Sequence, residues 1–216
     1  MKIKNKASVS IIGGADGPTS IFIAGRTEKR NLKEQIHRKI YRHRRKAVEK
    51  KIVADAHTLE EVVSFARQKY AFLEMDCSQR SYREQKGCLK ESLIIEKRPD
   101  LLGELKELVR PEVYDEKGIR ELHRQIQARS EWIAAIPDEE MPMDYHVYEM
   151  RLKDGRLEME IDYLWNIFGI SYSGSKKTMK NLEKVARELY LYYGVTKEDI
   201  ANKSKRYSSL VTALCT

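Results

Sequence analysis

The first residues suited to binding chemistry lie in a glycine-rich turn near the start of the chain. Two short apolar runs at 9–12 and 20–23 flank the sequence GGADGPT at 13–19, which predicts a strand, a turn and a second strand. A carboxylate in such a turn can hold a cation or a small ligand, but a tight turn alone also requires these residue types. Both interpretations stay open. The candidate binding residues are Gly14, Asp16, Gly17 and Thr19.

A second group of acids falls on one face of a predicted hairpin. Alternation along its two strands puts four carboxylates on that face: Glu149, Glu158, Glu160 and Asp162. They could form a carboxylate pair or a cation site. An acidic face of this kind is more often the solvated side of an antiparallel sheet, so we expect it to be exposed.

The strongest charge feature is a basic segment. Residues 26–51 hold twelve Lys/Arg against three Glu, and the whole 216-residue chain carries +8, so this segment makes the chain basic. It contains no Pro or Gly, and an apolar stripe predicts a helix of about six turns. That stripe is Leu32, Ile36, Ile40, Ala47 and Val48.

Lysines and arginines in a stripe can follow a phosphate backbone, so we expect this helix to bind nucleic acid or an acidic protein. The contact residues would be Arg38, Lys39, Arg42, Arg44, Arg45 and Lys46. Two alternatives remain. The run could be a solvated helix face, although close like charges destabilise a helix. The acidic hairpin face could also neutralise it within the molecule.

A phosphate site is a further candidate at the start of a late helix. The sequence GISYSGSKKT at 169–178 follows a strand and opens a helix, but Ser175 stands where a phosphate-binding P-loop needs lysine. ATPase chemistry is therefore not expected. A helix N-terminus with adjacent lysines still suits a single phosphate. Its residues would be Ser175, Lys176 and Lys177.

Catalytic patterns are missing from the sequence. The five histidines are scattered, and neither HExxH nor GxSxG occurs. The three cysteines show no CxxC spacing, which argues against a zinc site and favours a reducing cytoplasm. We therefore predict no catalytic residue, no metal ligand and no identifiable cofactor.

The GGADGPT turn resembles a motif of the membrane beta subunit of sodium-translocating decarboxylases, the sodium pumps that decarboxylate oxaloacetate, methylmalonyl-CoA or glutaconyl-CoA. In that family the motif lines a pore, and its aspartate is implicated in coupling sodium and proton movement, a role that the resemblance implies for Asp16. The resemblance covers about residues 8–26. No run approaches the roughly 18–20 apolar residues of a membrane span, so we expect no membrane insertion.

The elements that position these residues predict an α+β fold, mostly helical, with a small mixed or antiparallel sheet that includes the hairpin 145–164. Strand candidates at 51–54 and 71–75 flank a helix, which predicts a compact parallel crossover. A proline-rich linker at 137–142 divides an N-terminal region, 1–136, from a C-terminal region, 143–216. These form one domain or two tightly packed subdomains.

The sequence Asp154-Gly155 predicts a two-residue type I′ turn for the hairpin. Such a turn pairs Leu152 with Leu157. The expected function is that of a cytoplasmic, non-enzymatic binding protein that uses the basic helix. The alternative is a protein, possibly an enzyme, that binds a cation or small ligand at the GGADGPT turn.

Overall fold

The computed structural model describes the secondary structure of residues 8–14, 17–24 and 32–215, and the side chains of residue 36 and residues 38–215. Contacts divide the chain into one unit of Met1–Glu28 and Asp76–Met143, and a second of Lys29–Met75 and Asp144–Thr216. Most of the described residues are helical, and the larger sheet has four antiparallel strands. The predicted α+β class is therefore confirmed.

The elements follow in chain order. They are β1 (Ser8–Gly14), β2 (Gly17–Ala24), α1 (Leu32–Glu49), α2 (Leu59–Tyr70), β3 (Leu73–Glu74), α3 (Arg80–Lys97), a 3-10 helix (Pro99–Lys106), α4 (Glu116–Ala135), β4 (Tyr145–Leu152), β5 (Gly155–Asp162), β6 (Ile167–Gly174), α5 (Lys176–Tyr193), α6 (Lys197–Asn202) and α7 (Lys205–Cys215).

The first unit joins a hairpin and a helical region. Strands β1 and β2 pair antiparallel, as the sequence predicted. In the helical region, Lys90 on α3 is 8% exposed and donates to the carbonyl of Ile136 at 2.6 Å and to Asp138 at 3.0 Å. The carbonyl lies just past the end of α4, where helices leave acceptors unsatisfied. Hydrogen bonds from Lys90 and Lys86 also lower the pKa of Asp138.

The second unit is built on a sheet in the order β3-β4-β5-β6, with α2 and α5 packed on one face. The central strand β5 contributes Leu157, Met159 and Ile161, all at 0% exposure, to that core. Local sequence determines where α2 begins and where α5 ends. Thr58 and Glu61 form a capping box at the start of α2. Gly194 ends α5 with a φ of +61°, a region that favours glycine.

The parallel crossover expected around α2 is wrong. Residues 51–54 form no strand, and β3 pairs antiparallel with β4. Beyond α1 the chain instead makes single backbone bonds to the end of α5, from Asp55 N–H to Val195 at 3.0 Å and from His57 N–H to Tyr193 at 3.1 Å. These bonds fix the segment without strand pairing, and Val53 stays 76% exposed.

The hairpin forms, but its register differs from the prediction by two residues. Leu152 pairs with Gly155, and Met150 rather than Leu152 pairs with Leu157. The turn therefore consists of residues 153–154, and Gly155 has no positive φ. A shift of two keeps every side chain on its predicted face, because side chains alternate with a period of two. Only the cross-strand partners change.

Glycine at 155 is required by close packing rather than by turn geometry. A Cβ there would lie 2.6 Å from the carbonyl oxygen of Ser173 and 2.8 Å from Cγ2 of Thr178. At Gly169, also in this sheet, the nearest atom would be 3.9 Å away.

We predict that Gly155→Ala lowers the free energy of unfolding by about 2 kcal/mol, because the methyl group displaces β6. Gly169→Ala should be neutral or slightly stabilising, because its methyl group finds room and reduces the entropy of the unfolded chain. Urea unfolding followed by circular dichroism measures both. Equal losses for the two variants would contradict the packing explanation.

One arginine links three segments of the second unit. Arg206 on α7 donates through Nε to Gly194 at 2.8 Å, and through one terminal nitrogen to His57 at 2.8 Å and to Tyr193, all at carbonyl oxygens. Its guanidinium also lies 3.6 Å from the centroid of the Tyr193 ring. Planar donors and stacking together suit arginine and not lysine. Arg206 therefore ties α7 to the end of α5 and to the segment before α2.

We predict that Arg206→Lys keeps the charge but lowers the free energy of unfolding by about 2 kcal/mol or more, since carbonyl oxygens lose their donors. The control is Arg151→Lys, because Arg151 is 66% exposed and pairs with Glu149. Exposed ion pairs contribute at most about 1 kcal/mol. Matching urea midpoints for the two variants would show that the Arg206 contacts do not stabilise the fold.

Candidate functional site

The basic segment forms α1, which packs against α7 through one side. Val48 lies on a cluster that includes the buried side chains of Val195, Tyr207 and Leu210. Burial also raises the pKa of Tyr207, which interacts with Glu49 and Arg45. The C-terminal part of α1 is thus held by the fold, and this fixes the direction in which its other faces point.

The predicted contact residues of α1 face solvent. Arg38, Lys39, Arg42, Arg44 and Lys46 are exposed, and Arg45 is half-buried. Arg45 donates to Glu49 at 2.8 Å, a bond that raises the pKa of the Arg45 guanidinium. Across the described side chains of α1, this is the only ion pair. The other cations of the helix therefore have no acidic partner within the described part of the chain.

Four of these cations share one stripe. With about 3.6 residues per turn, the positions of Arg38, Arg42, Lys46 and Lys39 fall within roughly 100° around the axis. From position 38 to position 46 the stripe is about 12 Å long, at about 1.5 Å per residue. One strand of a duplex carries a phosphate about every 3.4 Å along its axis, so the stripe matches about three or four phosphates.

Part of the apolar stripe of α1 is exposed. Ile36 and Ile40 are each 48% exposed, and Tyr41 is 40% exposed. Among the described members of the stripe, Val48 packs against a cluster that includes α7 residues, whereas Ile36 and Ile40 do not belong to that cluster. An aromatic ring and two aliphatic side chains are therefore available on the helix that carries the cations.

The acidic hairpin face is not the exposed surface that the sequence predicted. Glu158 is 4% exposed and Asp162 0% exposed. The acids have partners on the hairpin itself, with Arg151 to Glu149 at 2.8 Å and Arg156 to Glu158 at 3.1 Å. Within the described residues no cluster of His, Cys, Asp or Glu is arranged to hold a metal ion.

Glu160 lies among these acids in a half-buried position. Tyr145 donates to its carboxylate at 3.2 Å. Burial nevertheless raises the pKa of Glu160, since the desolvation of the charged form outweighs the Tyr145 bond, and the nearby Glu158 raises it further. The hairpin acids are therefore an internal feature of the sheet rather than a solvated face.

The other two candidate sites are described only in part. Ser175 caps α5: its side-chain oxygen accepts the backbone N–H of Thr178 at 3.4 Å and lies 2.9 Å from the hydroxyl of Thr178. Lys176 and Lys177 are exposed on the first turn of the helix. Phosphate binding there stays a prediction. In the GGADGPT turn, Asp16 lies outside the described residues. Only the backbone is described for its other candidates, Gly14, Gly17 and Thr19, which lie in β1 and β2.

One feature was not predicted, a groove of about 480 Å³ between α5 and α7. Its α7 side carries four polar residues at spacings of three and four. These are Lys205, Ser208, Ser209 and Thr212. A polar stripe opposite the apolar stripe of the same helix would have been a usable signal, but it is also the ordinary pattern of a solvated face.

Comparison with known proteins identifies no relative of this chain. No protein-family model, curated protein or solved structure matches it. The resemblance of the GGADGPT turn to the decarboxylase beta subunits thus stays a prediction. None of the helices in the described ranges has both the length and the apolar character that crossing a bilayer requires.

We predict that Glu160→Gln stabilises the protein at pH 7, because it removes a charge that the fold disfavours and keeps an acceptor for Tyr145. The pKa of Glu160 is higher in the folded protein than in the unfolded chain, so ionised Glu160 destabilises the fold when the pH is above its folded pKa. Below the unfolded pKa, about 4.3, the carboxyl group is protonated in both states and the destabilisation vanishes. The gain should therefore disappear as the pH falls toward 4.

The control for this prediction is Glu149→Gln on the same face. It removes the partner of Arg151 and should not stabilise the protein at any pH. Thermal melts between pH 4 and pH 8 measure both variants. A Glu160→Gln variant that is less stable than the parent at pH 7 would show that the carboxylate is favourably paired.

Proposed function

We propose that the protein is a non-enzymatic binding protein that contacts nucleic acid through α1. The observation that carries the proposal is the exposure of five cations on one helix with no acidic partner among the described residues. Like charges held this close repel one another, and a polyanion relieves that repulsion. Released counterions then favour binding.

Nucleic acid fits α1 better than a purely acidic surface does. The stripe that includes Arg38, Arg42 and Lys46 has the length of several phosphates, and arginine suits phosphate oxygens through its fork of donors. Tyr41, exposed on the same helix, offers a ring on which an unpaired base can stack. An acidic protein would use the cations but would leave this ring without a function.

The arrangement of the hairpin acids also supports the proposal. Neutralisation of α1 by the acidic hairpin would require Glu149 or Glu158 to pair with cations of α1. In the described structure Glu149 pairs with Arg151, and Glu158 pairs with Arg156. Among the described residues, Glu149 and Glu158 therefore do not pair with the cations of α1, which supports a partner that brings its own negative charge.

We also place the protein in a reducing compartment such as the cytoplasm. Cys77 and Cys88 are exposed, Cys215 is buried, and none of the three forms a disulfide. Exposed cysteines outside disulfides suit a compartment that keeps thiols reduced.

We predict that replacing Arg38, Lys39, Arg42 and Lys46 by glutamine weakens binding to a fluorescent oligonucleotide at least tenfold at 50 mM salt. Glutamine is a good helix former, and the Arg45–Glu49 pair remains, so the fold should persist. The slope of log affinity against log salt should become shallower by up to about 0.9 for each lost phosphate contact. Fluorescence anisotropy across a salt series measures both quantities.

The matched control removes four charges from exposed positions outside α1, at Lys180, Lys184, Lys197 and Lys203. This control should bind nearly as tightly as the parent. Equal weakening in both variants would mean that net charge alone drives the binding. A parent that binds neither DNA nor RNA at 50 mM salt would refute the proposed function, and retention by an acidic peptide alone would identify a protein partner instead.

A further inference from the structure

The groove between α5 and α7 lies wholly within the second unit and is not explained by the proposed role of α1. Two helices normally bury apolar faces against each other. Here the lining contributed by α5 includes Glu183 and Arg187, and that from α7 is mostly polar. The apolar side of α7, with Leu210 and Val211, packs into the core instead. The polar sides of the two helices therefore open toward a shared space.

Arg187 is the most informative residue of the groove. Its side chain lines the groove and is 41% exposed, and its terminal nitrogen approaches Glu183 only to 3.9 Å. A contact of this length is longer than a hydrogen bond. A phosphate in the groove would give the terminal nitrogens of Arg187 closer, charge-assisted acceptors. Lys205 adds a second cation to the lining, and the hydroxyl of Ser209 adds a neutral donor.

Aromatic side chains complete the lining. Tyr190 is fixed by an edge-on contact with Phe168 at 5.1 Å between ring centroids. Tyr172 on β6 also lines the groove, and its side chain packs partly on the core and is half-buried, so part of it is accessible to a planar ligand. The volume of about 480 Å³ lies in the range of small-molecule sites, and charged and aromatic groups are both present.

We propose that this groove binds a small phosphate ester with a planar ring, a mononucleotide in its chemical class. In this arrangement Arg187 and Lys205 hold the phosphate, with Ser209 as an additional donor, and the ring lies on Tyr172. Arginine and phosphate make short charge-assisted bonds, and bases of any sequence can stack on an aromatic ring. The site is separate from α1 and does not depend on the proposed nucleic-acid contact.

Isothermal titration of the full chain with AMP, adenosine and inorganic phosphate tests the proposal. AMP should bind more tightly than either fragment. Arg187→Gln should weaken AMP at least tenfold, and Ser209→Ala, which alters no charge, at least twofold. Tyr172→Leu should weaken AMP but leave the weak affinity for inorganic phosphate unchanged.

Two controls separate this site from general electrostatic attraction. Lys184→Gln removes one charge from an exposed position of α5 outside the groove and should leave AMP binding unchanged. The four-glutamine variant of α1 should also bind AMP like the parent, so the groove and α1 can fail independently. The proposal is overturned by no binding of AMP at 5 mM, by equal weakening in Lys184→Gln, or by adenosine binding as tightly as AMP.

Discussion

The contacts of one guanidinium set the arrangement of the second unit. Arg206 donates to carbonyl oxygens at the end of α5 and before α2, and it stacks on Tyr193. These acceptors come from segments far apart in sequence, so Arg206 holds the C-terminal helices together, as strand pairing holds the sheet together. Because α7 is fixed this way, the side of α1 that packs on α7 is fixed as well. Both the cationic stripe and the α5–α7 groove depend on this placement.

Charge is separated in this unit rather than balanced across it. The hairpin acids are largely withdrawn from solvent, and Glu149, Glu158 and Glu160 meet arginines or Tyr145 of the same hairpin. The cations of α1 are exposed and, apart from Arg45, unmatched by acids among the described residues. A protein that needed only solubility would be better served by interspersed charges of both signs. The segregated pattern instead suits a partner that brings its own negative charge.

The sequence predicted what local chemistry decides and missed what distant contacts decide. The hairpin of β4 and β5 was predicted because alternating side chains and turn residues act over a few neighbouring positions. The hairpin register differs by two from the predicted one, and it places Gly155 close against β6, a contact that the turn sequence cannot reveal. The burial of Glu160 was missed because alternation assigns a face but not what covers it. For α1 the sequence predicted the helix and its charge, whereas the direction of each face required the packing of α7.

The register of the hairpin formed by β4 and β5 limits how the length of the loop between these strands can change in evolution. Inserting or deleting two residues between β4 and β5 keeps every side chain on its face, so the core around Met159 survives. Changing the loop by one residue would move the side chains of one strand to the opposite face and exchange apolar for acidic positions. We therefore expect the loop length to change by two residues at a time, and a change of one residue to be tolerated only where a β-bulge restores the original faces.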